Sequence, residues 1–202
     1  MSKAPETLAI SETNALLSEL QHSFCSRFRV WKNMRNYTMA LLMLDAGLRV
    51  GEVCRLKISN LLFNNQAVES LTLSSELAEK SCTRSIPLSD RLKLAIDNCN
   101  KLIWYGLAST TNMPAFFDTD MPKGITPRQV QNIIGNAGMK SIGRKVRPHM
   151  LRHTFATRLM RVTSTPTVQH LLGHKHLSST QVYVHPNADD CKTAINKIET
   201  AS

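Results

Sequence analysis

Apolar positions along the chain recur mostly at three- and four-residue spacing, and they predict a succession of helices. Leu16, Leu17 and Leu20 form a stripe behind Ser11 and Glu12, a capped amphipathic helix. From Tyr37 to Ala46 the chain is apolar on nearly every side, so a central, enclosed helix is expected, stopped by Gly47. A new helix begins in Leu48–Val53, with Val50, Val53 and Cys54 inward. Leu71-Thr72-Leu73 alternates instead, and Arg84–Leu88 contains a proline that suits an edge strand. These two stretches predict a small antiparallel sheet joined by the turn SSELAEKSC.

Helical spacing returns in Asp90–Trp104 and again after Thr126-Pro127, where Val130, Ile133, Ile134 and Ala137 face inward and Gly138 marks the end. Between them lies a polar, proline-bearing loop whose Phe116-Phe117 pair packs on the domain. Pro148 opens a further helix, with His149 and Arg152 on one face and Leu151, Phe155 and Leu159 on another. Thr165-Pro166 starts the next, Val168, Leu171 and Leu172 give its apolar side, and Gly173 stops it just before His174. Tyr183 follows on a short helix begun by Ser178 or Ser179. Cys191, Ala194, Ile195 and Ile198 mark a last amphipathic helix. The fold class expected from this pattern is mainly α with a small antiparallel β-sheet.

Charge adds a partner class. At 202 residues the chain suits one domain, and its formal charge of +10 is the footprint of a protein that meets a polyanion. Arg27, Arg29, Lys32 and Arg35 crowd one segment, readable as a phosphate-contacting edge or as a solvated turn between helices. Lys140, Arg144, Lys145 and Arg147 form a second basic run leading into the Pro148 helix, expected to contact phosphate. The five cysteines are odd in number and lack a C-x-x-C pair, which points to reduced thiols in a cytoplasmic protein. The longest apolar run, Met39–Leu44, is too short to span a membrane, and no secretory signal opens the chain. His149 and His153, like His170 and His174, are four apart, yet neither pair encloses the glutamate of a zinc helix, so no metal is expected.

Three phrases carry a family likeness. His149-x-x-Arg152, then Leu171-Leu172-Gly173-His174, then Tyr183 resemble the second half of the catalytic domain of tyrosine recombinases (phage integrases). GLRVGEVCRL resembles the setting of that family's first catalytic arginine, with Arg49 in its place. Lys80, ahead of Arg84 and Ile86-Pro87-Leu88, matches the family's hairpin lysine. The bland alternative for Arg49 is a weak surface bridge to Glu52 one turn on.

The likeness covers roughly residues 11–190. It implies the tyrosine recombinase catalytic-domain fold over residues 11–187, after a loose leader at 1–10 and before a C-terminal helix or tail at 188–202. No room is seen for the usual N-terminal core-binding domain, so the chain is expected to be either a compact recombinase or a fragment of a longer integrase. The implied function is site-specific cutting and rejoining of double-stranded DNA through a 3′-phosphotyrosyl link at Tyr183, without cofactor, metal or ATP. Arg49 and Arg152 hold the non-bridging oxygens, His149 serves as base, His174 as hydrogen-bond donor and Lys80 as general acid. A homo-oligomer on DNA and a nucleoid-associated location follow from the same likeness, with the last helix docking either on its own domain or on a neighbouring copy.

Two other classes remain: relaxation of DNA in the manner of a type IB topoisomerase, and a non-catalytic DNA-binding regulator. Supercoil relaxation without a specific site favours the first, and the full set Arg49, Lys80, His149, Arg152, His174 and Tyr183 speaks against the second. If the basic segments dock DNA, the logarithm of affinity falls linearly with the logarithm of salt, by about 0.9 per phosphate neutralised. A filter-binding titration across salt checks this, and a flat dependence removes the basic face as the docking surface.

Overall fold

The computed structural model describes residues 6–21, 27–78, 83–105, 112–118 and 123–173, with Arg27, Phe28 and Arg29 described in backbone only. Helix α1 spans Ile10–Gln21 and buries Leu16, Leu17 and Leu20, as the stripe predicts. Its start differs from the expected Ser11 cap. The Glu12 carboxylate accepts the Ala9 N–H at 2.9 Å and the Thr13 hydroxyl donates to the Ala9 carbonyl, so both polar groups of Ala9 are satisfied, two residues ahead of Ser11. Residues just before α1, expected to be loose, are tied down: Leu8 lies in the core, and its N–H donates to the Thr154 hydroxyl.

Helix α2, Arg27–Asp45, is longer than its apolar half. Met39, Ala40, Leu41, Leu42 and Met43 are fully buried because α1, the helix Asp90–Cys99 (α5) and the helix Pro148–Met160 (α7) all pack around them. The basic stretch Arg27–Arg35, weighed as a turn, is therefore the first part of this helix. Tertiary contacts hold it there. Trp31 packs on Phe117 with ring centroids 6.1 Å apart, and the buried Arg35 lies over Trp31 and donates to the Phe117 carbonyl. These long-range partners have no signal in local periodicity.

Beyond Gly47, whose φ is +63°, come the short helices α3 (Val50–Arg55) and α4 (Ile58–Leu61). A hairpin missing from the sequence pattern follows, β1 (Leu62–Phe63) against β2 (Gln66–Ala67), turning through Asn64 and Asn65 at φ +49° and +61°. Asparagine tolerates that left-handed backbone, which two-residue hairpins require. Strands β3 (Ser70–Leu73) and β4 (Arg84–Pro87) pair antiparallel with Leu71 opposite Ile86 and Leu73 opposite Arg84. The expected small sheet is thus two separate two-stranded ribbons among the described residues. Alternation puts Leu71, Leu73, Ile86 and the charged Arg84 all on the inward side.

Helix α5 is capped by Ser89, which accepts the Leu92 N–H, and continues into a π-helical turn, Asn100–Trp104. The turn seats Trp104 with its indole N–H on the Ala115 carbonyl, beside the buried Phe116. Helix α6, Pro127–Ile142, begins with a Thr126/Gln129 capping box and ends at the left-handed Gly143, five residues past the expected stop near Gly138. Helix α7 carries Pro148 in its first turn, and α8, Thr165–Leu172, ends at left-handed Gly173. Among the described residues no helix is long and apolar enough to cross a membrane.

Gly138 sits inside α6 because of what faces it: a Cβ there lies 2.5 Å from Val146 Cγ2 and 2.9 Å from the Arg144 carbonyl oxygen. Gly138→Ala gains up to ~1 kcal/mol of helix propensity but overpacks a backbone contact at a cost of ~1–3 kcal/mol. The expected outcome is net destabilisation by about 1 kcal/mol, read as a lower urea midpoint. A higher midpoint contradicts this packing.

Candidate active site

Arg49 is the N-cap of α3, and Glu52, three residues on, is fully buried. The Glu52 carboxylate accepts the Arg49 backbone N–H at 2.8 Å and the Arg49 guanidinium at 3.2 Å. From β4, Arg84 reaches the same carboxylate with two donors, at 3.1 and 2.8 Å, in a bidentate fork. From α7, the Arg152 guanidinium stands 4.0 Å away. Three cations from three elements thus share one buried anion. The Arg49–Glu52 contact, weighed beforehand as a weak surface bridge, exists, but its carboxylate is buried and held by more than one arginine.

Arg152 is itself buried and donates to the carbonyls of Gly47 and Leu172, the latter at 2.8 Å. Leu172 is the last residue of α8 and Gly47 lies in the turn after α2, so one side chain ties both places to α7 and satisfies an acceptor that α8 leaves open. Arg49 keeps a quarter of its side chain exposed, while Arg84 and Glu52 have none. His149 is exposed in the first turn of α7, one turn ahead of Arg152, with its ring 6.3 Å from that of the half-buried His153. Burial, then the charges of His149 and Arg152, hold His153 below the ordinary histidine value.

Burial alone pushes the Glu52 carboxyl up. The Arg84 hydrogen bonds and charge, the Arg49 N–H and the charge of Arg152 together outweigh it, and its pKa lies below the usual value. The carboxylate is charged, and the surrounding guanidiniums outnumber it three to one. The cluster therefore carries two positive charges in excess of its buried acid.

The predicted residues divide accordingly. Arg49 and Arg152 meet at Glu52, and His149 shares a helix face with Arg152; Lys80, His174 and Tyr183, like the helix expected over 188–202, lie outside the described residues. Of the basic residues assigned to DNA, Lys32 pairs with Asp118 at 3.5 Å and Lys140 stands 3.9 Å from Glu19. Both donors of the Arg144 fork are on Glu12 at 2.9 Å, so Arg144 holds the fold together, whereas Lys145 and Arg147 are exposed. Glu52 and Arg84 are the site residues the sequence pattern did not single out. Their signals were present: a glutamate three residues into a helix after its cap, and an arginine at an inward register position of a strand. No cluster able to hold a metal occurs among the described residues.

Fold and site together define a mainly helical domain that gathers arginines from distant segments about a buried acid. The model of the phage integrase family matches residues 7–190, and the chain belongs to that family. It is 32% identical over 169 residues to a tyrosine recombinase of Pseudothermotoga lettingae, covering 83% of this chain and 55% of that protein. It is 34% identical over 168 residues to tyrosine recombinase XerA of Pyrococcus furiosus, covering 81% of this chain and 54% of that one. Among solved structures it is similar to the XerA recombinase, at TM-score 0.74 and 24% identity over 98% of this chain and 66% of the other. It is also similar to XerH bound to a palindromic difH substrate, at TM-score 0.68 and 25% identity over 98% of this chain and 54% of the other. The fold is that of the tyrosine recombinase catalytic domain, mainly α with small antiparallel sheets. The chain spans about half the length of the curated relatives it matches.

Removing the Glu52 charge leaves buried guanidiniums without their counter-ion, a loss of about 3–5 kcal/mol for Glu52→Gln at neutral pH. Because the folded pKa lies below the ordinary 4.5, the charge's contribution is complete above that value and disappears as pH falls through the folded pKa. Urea unfolding at pH 7 and between pH 5 and 3 is expected to show the two chains converging in stability as pH drops. Parallel profiles contradict the assignment.

Proposed function

We propose that this chain is a DNA breaking and rejoining enzyme, a site-specific recombinase that acts through a 3′-phosphotyrosyl intermediate at Tyr183. The observation that carries the reading is the meeting of Arg49 and Arg152 at one buried carboxylate, although they stand on separate helices. Glu52 cancels one of the three positive charges around it. The two left over equal the two negative charges that a phosphodiester gathers when it is attacked. Arg49, part-exposed at the N-terminus of α3, offers a fork to one non-bridging oxygen, and Arg152 serves the other.

In the proposed step the Tyr183 oxygen attacks phosphorus and the bond from phosphorus to the 5′ oxygen breaks. The tyrosyl proton passes to His149, Lys80 protonates the leaving oxygen, and His174, next in the chain after the Gly173 that ends α8, donates a hydrogen bond to the phosphate. A tyrosine of pKa ~10 is only about a thousandth ionised near neutrality, which is why a base is needed. A free 5′-hydroxyl of another strand then reverses the step, and the covalent link conserves the bond energy so that ATP is not required. The guanidiniums supply the positive charge that a metal supplies elsewhere.

Residues 11–187 are the proposed catalytic unit, double-stranded DNA the partner, and a homo-oligomer on DNA the working form, with residues 188–202 docking within or between copies. Exposed Lys145 and Arg147 support a DNA-facing surface next to α7, and Lys32, beside Asp118, and Lys140, beside Glu19, are proposed as further DNA contacts. The XerH neighbour is a post-cleavage complex with its DNA substrate, and an integrase of transposon Tn1549, TM-score 0.70 and 19% identical, is bound to transposon-end DNA. This company favours recombination over simple relaxation.

Nicked suicide DNA incubated with the chain in EDTA is expected to yield a denaturant-resistant protein–DNA adduct. Tyr183→Phe is expected to abolish the adduct while leaving DNA affinity within about twofold, since only one hydroxyl is lost. An adduct that persists in the variant forces another nucleophile, and one that needs divalent metal forces another mechanism.

A further inference from the structure

Helix α7 presents two faces about 150° apart. His149, Arg152 and His153 lie on one, and Met150, Thr154 and Arg158, at four-residue intervals, lie on the other. Thr154 and Arg158 on the second face each meet the short segment before and within the first turn of α1. The Leu8 N–H donates to the Thr154 hydroxyl at 2.9 Å, and that hydroxyl in turn donates to the Met150 carbonyl at 2.7 Å. One turn on, the Arg158 guanidinium donates to the Thr13 hydroxyl at 2.7 Å, which donates to the Ala9 carbonyl. Ahead of α7, Arg144 grips Glu12 with two donors and reaches the Thr7 carbonyl. Thr13 and Thr154 are both buried, 2% and 1% exposed.

From this juxtaposition we propose that residues 7–13 are a strap that fixes the rotation and axial register of α7, making Thr154, Arg158 and Thr13 positioning residues for the His149–Arg152 face. The apolar pattern of α7 does not do this by itself. Its buried residues, Met150, Leu151, Arg152, Thr154 and Ala156, are spread around the helix, and apolar burial is non-directional. Directional hydrogen bonds from a segment remote in sequence select one register among several of similar apolar burial. Arg152 then meets Gly47, Leu172 and Glu52 at one setting of the helix, and His149 is carried with it. Only the consequence for catalysis rests on the recombinase reading; the strap is a property of the folded chain.

The test compares Thr154→Val, which keeps the shape and removes the hydroxyl, with Thr154→Ser, which restores it. Asp97→Ala serves as control, because it deletes a comparable side-chain acceptor, for the Ala67 N–H, away from α7. In the DNA-free chain Thr154→Val is expected to raise amide hydrogen exchange across residues 149–156, with Thr154→Ser and Asp97→Ala leaving that region as in the wild type. On nicked suicide DNA, well below all unfolding midpoints, Thr154→Val is expected to slow single-turnover adduct formation about tenfold with affinity changed less than about twofold. Thr154→Ser recovers the rate, and Asp97→Ala does not lose it. Unchanged exchange in α7 of Thr154→Val overturns the strap whatever the activity. A normal rate in Thr154→Val, or equal slowing in Asp97→Ala, overturns its positioning role. Absence of any adduct in the wild type counts against the recombinase reading alone, and the exchange result still decides the strap.

Discussion

A single carboxylate makes the arrangement possible. Guanidiniums drawn to within a few ångströms of one another in a partly desolvated core repel by on the order of a few kcal/mol per pair. Glu52, fully buried and bonded to Arg49 and Arg84, with Arg152 4.0 Å off, allows the cluster to assemble during folding rather than on meeting a ligand. The desolvation of its charge is costly, and the bidentate Arg84 fork is what offsets it. Without Arg84, Glu52 has less reason to be ionised; without Glu52, Arg84 has no reason to be buried. A site placed this way is expected to exist before any ligand arrives.

Geometry around the carboxylate follows from backbone details on each supporting element. Gly47 takes a left-handed φ of +63° and lies so close to the Phe155 ring that no side chain fits there. That close approach lets the Gly47 carbonyl meet Arg152, while the next two residues turn the chain so that Arg49 caps α3 and Glu52 points inward. On the sheet side, the β3–β4 register sets Arg84 opposite Leu73 and facing the same interior. The ribbon's place in the fold is explained by the charge it delivers, since only a single charged residue interrupts its inward apolar face.

Much of this was legible in the chain and some was not, for identifiable reasons. Helices α5 and α8 begin where periodicity places them, because local and tertiary preferences agree, and α6 begins there too but runs on to Gly143. The first half of α2 was obscured by its arginines, which reads as a solvated segment until Trp31 and Arg35 find Phe117 far along the chain. The Asn64-Asn65 hairpin carries too few residues to show alternation. Arg49, His149 and Arg152 could be picked out by family likeness, but Glu52 and Arg84 required knowing which sides of a helix and a strand face each other. The charge run at 140–147 misled for a related reason: composition counts Arg144 as available to phosphate, whereas the fold gives its fork to Glu12.

That exchange of roles separates two kinds of electrostatics in one protein. Arg144–Glu12, Arg84–Glu52 and the carbonyl contacts of Arg152 are partly or wholly buried, and salt screens them weakly. Lys145, Arg147 and much of Lys140 face solvent, where screening over ~8 Å removes most of their pull at physiological ionic strength. Long-range attraction of an anion is therefore governed by the exposed set, and the internal geometry of the arginine cluster by the buried set. The two are joined through α7, whose N-terminal turn follows the basic loop directly and whose register is shared by Arg152 on one face and Thr154 on the other. Changes to the exposed charges leave the buried cluster untouched, whereas a change that rotates α7 moves Arg152 relative to Glu52. The arrangement of the arginines in this fold is consequently a property of helix placement more than of surface charge.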